Sequence, residues 1–384
     1  MQTIVRPDTQ QKLEMMTRAG QFDCDGEPAL STREKHKRDF LSKSVVQVLR
    51  PDGPMTVLRT MQTSACEKNC NYCPFRAGRG RTPRISFSPD ELAGEFIKMA
   101  RAKVVGGLFL SSGIIGGGVR AMDPMLATVE LLRKKYDYRG YIHLKIMPGA
   151  EQAQVEQALR LADRISINLE GANTDRLAIL APQKDMRLEL LPAIHWAHQF
   201  SRRRPFRHKL PSVVTQFVVG PAAESDHELL LGVDWLYKKR GLSRAYYSAF
   251  SPIADTPLEN TPRTPLIREH RLYQADWLLR YYGFSADELS FADDGALPTA
   301  IDPKLAWARR HLAHCPIEVN TAPRAELLRV PGIGPKSADA ILRARKAGRL
   351  QDLSHLQAQG AIAKRAAPFV LLNGRRPPQQ LSLF

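Results

Sequence analysis

Apolar and polar positions change period several times along the chain, and the changes divide it. From about residue 55 to 255, short runs rich in β-branched and aromatic residues alternate with longer stretches of helical period. The short runs are 56–61, 104–111, 140–147, 164–169, 212–219 and 245–250. Runs of this length bounded by turn residues predict strands. The stretches 89–102, 124–135, 150–162 and 187–199 repeat apolar residues every three to four positions and predict helices. Strand, helix, strand in alternation makes parallel βαβ units. The expected class is α/β: a partial (β/α)6 TIM-like barrel whose chemistry gathers in the loops after its strands.

The flanks read differently. Residues 1–50 are polar and helical in part, most clearly over 8–16, and form an N-terminal helical extension to a barrel at 51–255. Residues 256–315 are helical and aromatic, with Tyr273, Trp277, Tyr281 and Tyr282 expected as a connecting, packing layer. Residues 316–372 predict a small all-α domain, and 373–384 a stiff tail with an amphipathic tip.

Composition narrows the class. The 384 residues are 43% hydrophobic and 25% charged, as in ordinary soluble globular chains. No apolar run approaches the roughly 20 residues of a membrane helix, and residues 1–8 contain no signal-peptide h-region. The expected setting is therefore cytoplasmic, without membrane attachment. Five cysteines exclude a disulfide scaffold, and three of them fall within eight positions, which points to metal or redox chemistry. Lys and Arg total 56 against 39 Asp and Glu, a net charge of +17. Such an excess favours polyanions, nucleic acid first.

Those three cysteines stand as Cys66-Glu67-Lys68-Asn69-Cys70-Asn71-Tyr72-Cys73, a C-x3-C-x2-C spacing just after the first predicted barrel strand. Three thiolates this close can hold three corners of a cubane iron–sulfur cluster. A structural zinc site would want four protein ligands at other spacings. No fourth cysteine follows nearby, so one iron is left open. Cys24 and Cys315 are isolated and expected to be buried structural residues.

The spacing resembles the radical S-adenosylmethionine (SAM) superfamily. The resemblance implies a 4Fe-4S cluster on Cys66, Cys70 and Cys73, with SAM chelating the open iron and an electron donor such as flavodoxin or ferredoxin. One-electron cleavage of SAM then yields a 5′-deoxyadenosyl radical that abstracts a hydrogen atom. Tyr72 stands where the family places an aromatic residue. Ser111-Ser112-Gly113 matches the Gly-Gly-Glu stretch whose backbone holds the methionine amino group, here without the Glu. Asn168 and Glu170 stand where polar residues approach the ribose and carboxylate. The run Gln216 to Gly220 resembles the adenine-binding element, with Val218 on the adenine face and Gln216 replacing the first glycine. Tyr246 and Tyr247 read as packing residues, and Gly116-Gly117-Gly118 as a flexible loop, since no Lys-Ser/Thr follows it. Arg76, Arg79, Arg81 and Arg84, and again Arg202, Arg203, Arg204, Arg207 and Lys209, are either a phosphate-tracking groove or solvated faces.

Near the C-terminus, Val330-Pro331-Gly332-Ile333-Gly334-Pro335-Lys336-Ser337 resembles a helix-hairpin-helix motif. Gly332 and Gly334 supply φ values that other residues resist. The helix after Pro335 then offers free N–H groups to a DNA phosphate, with Ile333, Lys336 and Ser337 in the contact segment. A second, degenerate hairpin surrounds Gly360. The last residues, Gln380-Leu381-Ser382-Leu383-Phe384, resemble the peptide by which bacterial DNA-processing proteins dock on the replication sliding clamp. Gln380, Leu381, Leu383 and Phe384 would be its contacts.

Barrel and hairpin together resemble the predicted DNA modification or repair radical SAM proteins. The resemblance implies an iron–sulfur enzyme acting on a DNA nucleotide. An RNA-modifying radical enzyme and a non-catalytic DNA-binding iron–sulfur scaffold remain as alternatives.

Overall fold

Strands apolar on both faces need cover on both, which parallel βαβ order provides. In the computed structural model, which describes residues 7–20, 45–50, 53–80, 82–203 and 210–378, seven strands lie side by side in chain order. They are β1 (Val45–Arg50), β2 (Gly53–Met61), β3 (Gly107–Ser111), β4 (Tyr141–Lys145), β5 (Arg164–Ser166), β6 (Ser212–Val219) and β7 (Arg244–Ala249). β2 to β7 are parallel throughout, and β1 pairs antiparallel with β2. The parallel strands lie within three residues of the predicted runs at either end. The fold is thus the expected partial barrel. β1 was not expected within residues 1–50, which read as polar as a whole, but its own run Val45-Val46-Gln47-Val48-Leu49 is largely apolar and β-branched and pairs with β2.

The helices are α1 (Thr9–Gly20), α2 (Pro89–Arg101), α3 (Gly117–Glu130), α4 (Gln152–Leu161), α5 (Thr174–Leu180), α6 (Leu191–Arg203) and α7 (Asp226–Arg240). α2 shows how the chain sets them. Ser88 and Glu91 close a capping box, Pro89 opens the first turn, and Lys98 and Arg101 sit in the last. Its inner stripe of Leu92, Phe96, Ile97 and Met99 is buried, each side chain contributing roughly 1.5–3 kcal/mol.

α3 corrects the reading of a flexible glycine loop and of a helix beginning at residue 124. Gly116 takes φ +69 and the helix starts at Gly117, with Pro124 inside it. A Cβ on Gly118 would lie 2.1 Å from the Pro148 carbonyl oxygen, so the helix start needs glycine to approach that turn. Two single wide turns of π-helix, Leu131–Lys135 and Met186–Leu190, adjoin α3 and α6. Tyr246 and Tyr247 are buried, as the packing reading had it, and Tyr246 hydrogen-bonds Arg164 at 2.9 Å.

The chain forms two compact units, residues 1–224 with 235–264, and residues 225–234 with 265–384. The second holds α8 (Leu266–Tyr281), α9 (Pro303–His311), α10 (Arg324–Leu327), α11 (Pro335–Ala347), α12 (Leu353–Ala358) and α13 (Ala363–Ala366). It is not purely helical, because β8 (Ile317–Glu318) and β9 (Val370–Leu371) pair in parallel. Its core includes Val319, Leu327, Val330, Ile333, Ile341 and Leu356. Cys315 is exposed, against the expected burial; Cys24 lies outside the described residues. Among the described residues no helix is long and apolar enough to cross a membrane.

Candidate active site

A cavity of about 410 Å³ opens at the C-terminal ends of the parallel strands, within the usual range of about 300–1,000 Å³ for small-molecule sites. Met61, Ser111, Lys145, Asn168, Val218 and Ser248 line it from the strand ends or just beyond. Cys66, Cys70, Tyr72, Cys73, Ser112, Gly113 and Glu170 also line it. Gly220 does not; its φ of +110 turns the chain after β6, where a Cβ would meet Thr264 Oγ1 at 1.9 Å.

The cysteine loop gets its shape from straps elsewhere in the chain. Glu67 N donates to Ile114 O at 2.7 Å, and the Glu67 carboxylate accepts from Gly116 N and Gly117 N at 2.8 and 3.0 Å. It thereby caps α3, where Gly116 has no side chain to do so. Asn71 N donates to Leu180 O at 2.7 Å, Asn71 Nδ2 to Ile179 O at 2.9 Å and Lys68 Nζ to Gln183 O at 2.9 Å. These tie the loop to the end of α5 and the turn after it. Gly113 N donates to Thr63 O at 2.7 Å, and a Cβ on Gly113 would lie 2.1 Å from Ala65 O. Only glycine lets that backbone come so close.

The nearby arginines turn out to be clips. The Arg84 guanidinium donates to the carbonyls of Ser64, Phe75, Arg76 and Arg79. Arg76 donates to Asn69 O, and Arg79 to Pro74 O and Ala254 O. Most of the donors on these three arginines are committed to backbone carbonyls, most of them around the cluster loop. Arg202 and Arg203 are exposed in the last turn of α6, a solvated face that suits the helix dipole. Arg81, Arg204, Arg207 and Lys209 lie outside the described residues.

A buried charge pair stands beside the thiols. Lys184 Nζ lies 2.9 Å from Glu170 Oε1, with both side chains nearly inaccessible. Glu170 adopts φ +63, a left-handed conformation costly for a non-glycine residue. Burial works against the Lys184 ammonium, but the charges of Glu170 and Cys70 outweigh it, and its pKa is raised. Burial, then the Glu170 charge, pushes the Tyr72 phenol well above its usual value, so it stays neutral and donates to Glu170. Burial also pushes the Cys73 thiol up to about 12 and raises Cys70, against the opposing pull of Lys184. Phe75 N donates to Cys73 Sγ at 3.4 Å and Ile114 N to Cys66 Sγ at 3.5 Å. Lys184 was not singled out from the sequence: it sits in a polar turn 14 residues beyond Glu170, with no motif to mark it.

The C-terminal hairpin joins α10 to α11. Gly332 has φ +86, and a Cβ there would lie 2.5 Å from Ile362 O. Its carbonyl accepts from Ile362 N at 2.9 Å, which links it to the second hairpin around Gly360. Gly334 corrects the sequence reading, since its φ is an ordinary −100. It caps α11 with no side chain over the first-turn N–H groups, and its constraint is the Tyr282 hydroxyl, 3.3 Å from where a Cβ would stand. Ile333 is buried, and Ser337 Oγ donates to Gly360 O at 2.7 Å. Of the side chains named for this segment, Lys336 is the exposed one. Behind the turn, Lys304 Nζ donates to Ile333 O at 2.6 Å and lies 4.4 Å from the Tyr282 ring centroid.

Residues 61–231 match the Radical SAM superfamily. The chain carries a radical SAM domain. Residues 313–366 match the helix-hairpin-helix motif. No curated protein matches the chain. Among solved structures it is similar to the FeFe-hydrogenase maturase HydG from Carboxydothermus hydrogenoformans, at 16% identity and TM-score 0.46, over 58% of this chain and 51% of that one. Methylornithine synthase (PylB) is similar at 15% identity and TM-score 0.46, over 58% and 61%. The methyltransferase TsrM from Kitasatospora setae is similar at 11% and 0.41, over 56% and 39%. The chain thus spans about half to three-fifths of the first two structures' length.

A radical SAM domain holds a 4Fe-4S cluster and SAM, and the cavity here fits them. Cys66, Cys70 and Cys73 present the three-thiolate pattern at its wall. Ser112 Oγ and Asn168 Oδ1 are buried there without a hydrogen-bond partner in the protein, as groups awaiting a polar ligand are. Asn168 spends its amide donor on Gln216 Oε1 at 2.9 Å, which gives the glycine-replacing Gln216 a positioning role. When bound, the cluster and SAM supply one-electron reduction and hydrogen-atom abstraction. The chain's own contribution is to shape and charge the loop. The Phe75 and Ile114 N–H groups point at sulfur, which stabilises thiolate charge, and Lys184 keeps a cation beside Cys70.

The Lys184–Glu170 pair makes a stability prediction. Lys184→Met strands the Glu170 carboxylate in the protein interior, an expected loss of about 3–5 kcal/mol in unfolding free energy. Adding Glu170→Gln removes the stranded charge and recovers part of the loss. Denaturant unfolding of both variants checks this; equal stability of single and double variants would refute it.

Proposed function

We propose that this radical SAM enzyme acts on DNA, repairing or modifying a nucleotide by hydrogen-atom abstraction. The observation that carries the reading is the pairing, in one chain, of a radical SAM barrel with a helix-hairpin-helix region. Over residues 316–376 that region holds eleven Lys and Arg against four Asp and Glu, a net of +7. Hairpin N–H groups grip phosphate and carry affinity rather than sequence preference. The target base reaches the barrel flipped or unpaired, because a buried radical centre cannot enter a stacked duplex.

In this reading Cys66, Cys70 and Cys73 hold the cluster. Tyr72, the Ser111-Ser112-Gly113 backbone, Asn168, Glu170 and Val218 contact SAM, and Gly220 turns the chain beside them. Gly332, Gly334 and Lys336 face the phosphate. Flavodoxin or ferredoxin delivers the electron, in the cytoplasm, where thiols stay reduced. The clamp-like contacts Gln380, Leu381, Leu383 and Phe384 lie outside the described residues; docking on the sliding clamp is proposed from their sequence alone.

The test is anaerobic. Reconstituted full-length protein is given reductant, SAM and either duplex DNA, gapped DNA, transfer RNA or no nucleic acid. DNA should raise 5′-deoxyadenosine output, and nucleoside digests of that DNA should show a new mass. Stimulation by RNA with none by DNA would overturn the reading.

Lys304 adds a pH prediction. Burial, then Arg365 and Arg329, opposed by Asp302, lowers its pKa to about 7. A phosphate at the hairpin favours the charged form, so binding takes up a proton. At fixed ionic strength, DNA affinity should tighten as pH falls from about 8.5 towards 7 and level off below. Lys304→Met should remove that slope; an unchanged slope would assign it to other groups.

A further inference from the structure

Two rings on α8 stand out from the second unit. Trp277 is 51% exposed and Tyr281 47%, where the sequence suggested packing. Their centroids are 4.4 Å apart. Arg280 lies against both, its guanidinium 5.4 and 4.8 Å from the two ring centroids. Arg280 also donates to Tyr281 Oη at 2.9 Å and to the fully buried Asp276 at 2.8 Å. A buried carboxylate thus anchors the guanidinium that holds the rings, so their arrangement exists before any ligand arrives.

The pair also connects to the hairpin. The Trp277 indole N–H donates to the Tyr282 hydroxyl. That hydroxyl packs against Gly334, the N-cap of α11. The exposed indole therefore stands two contacts away from the backbone N–H groups that face a phosphate. The same unit is basic further along the chain, with the +7 excess over residues 316–376. A surface meant for an apolar protein partner has no use for that charge, whereas a nucleic-acid strand needs both a cationic track for its backbone and a π face for its bases.

We propose that Trp277 and Tyr281 form a stacking platform for an unpaired base of the DNA strand whose neighbouring phosphate is held at the Gly332–Gly334 hairpin. The inference rests on the DNA reading above and adds to it. It makes the C-terminal unit a reader of duplex–single-strand junctions, not only of duplex. Such a reader would hold the enzyme where a target nucleotide is already out of the stack.

The experiment measures fluorescence anisotropy of full-length protein on a labelled duplex and on the same duplex carrying a short single-stranded gap. Wild type should bind gapped DNA more tightly. Trp277→Ala with Tyr281→Ala should weaken gapped-DNA binding about tenfold, within the range of aromatic–base stacking, and leave duplex binding unchanged. Trp277→Phe keeps a ring but loses the N–H, and should retain most of the gap preference. Unchanged gapped-DNA binding in the double variant would overturn the proposal. So would equal losses on both DNAs, which would make the rings a support for the hairpin. Salt-dependent duplex binding with no gap preference in wild type would overturn the platform alone. Absence of binding to either DNA would overturn the DNA reading and the platform with it.

Discussion

Cys66→Ala, Cys70→Ala and Cys73→Ala should each abolish both cluster and cofactor cleavage. The expected reconstituted product has no brown iron–sulfur absorbance and no detectable 5′-deoxyadenosine. The effect is all-or-none because each thiolate holds one corner of the cubane, and no other cysteine lines the cavity among the described residues. The protein should nevertheless fold. The straps through Glu67, Lys68, Asn71 and Arg84 do not involve sulfur, and losing one buried thiol costs on the order of 1 kcal/mol. Circular dichroism and iron analysis of the three variants check both halves. A variant that keeps its iron and its cleavage would remove that cysteine from the ligand set.

Gly332→Val should weaken DNA binding at least tenfold and destabilise the C-terminal unit by about 3 kcal/mol. Its φ of +86 forbids a β-branched residue, and the new Cβ would stand 2.5 Å from Ile362 O and 3.1 Å from Arg365 Cβ. Relief of that clash breaks the backbone bond joining the two hairpins. DNA-independent cleavage of SAM should be unaffected, since the barrel has its own core. Gly334→Ala should do much less, because φ −100 suits alanine and the contact at 3.3 Å is with one hydroxyl. Salt titration of DNA affinity and thermal unfolding of both variants test the contrast. Equal effects would return both glycines to the same conformational role.

That contrast marks the division between chain and fold. Two motif glycines two positions apart look alike in sequence, and only the backbone tells that one turns left-handed while the other merely yields room to Tyr282. Gly116, Gly117 and Gly118 read as a loop for the same reason. Their helical start depends on a carboxylate, Glu67, about 50 positions earlier and on the carbonyl of Pro148. The arginines after the cysteines left groove and solvated face open in the sequence, because charge is visible there and hydrogen-bond partners are not.

Local pattern by itself determined the six parallel strands, the helices α2, α4 and α6, the cysteine triplet at the first barrel strand's end and the hairpin. Each depends on residues a few positions apart, where backbone sterics and apolar period act directly. Tertiary structure decided what depends on contacts across about 50 to 115 positions: the Asn168–Gln216 bond and the strap from Lys68 to Gln183. It also placed Lys184 beside Cys70 and left Trp277 and Tyr281 uncovered. Burial and partner choice are properties of the packed chain, and a buried charge or an exposed ring is recognised only once its neighbours are in place.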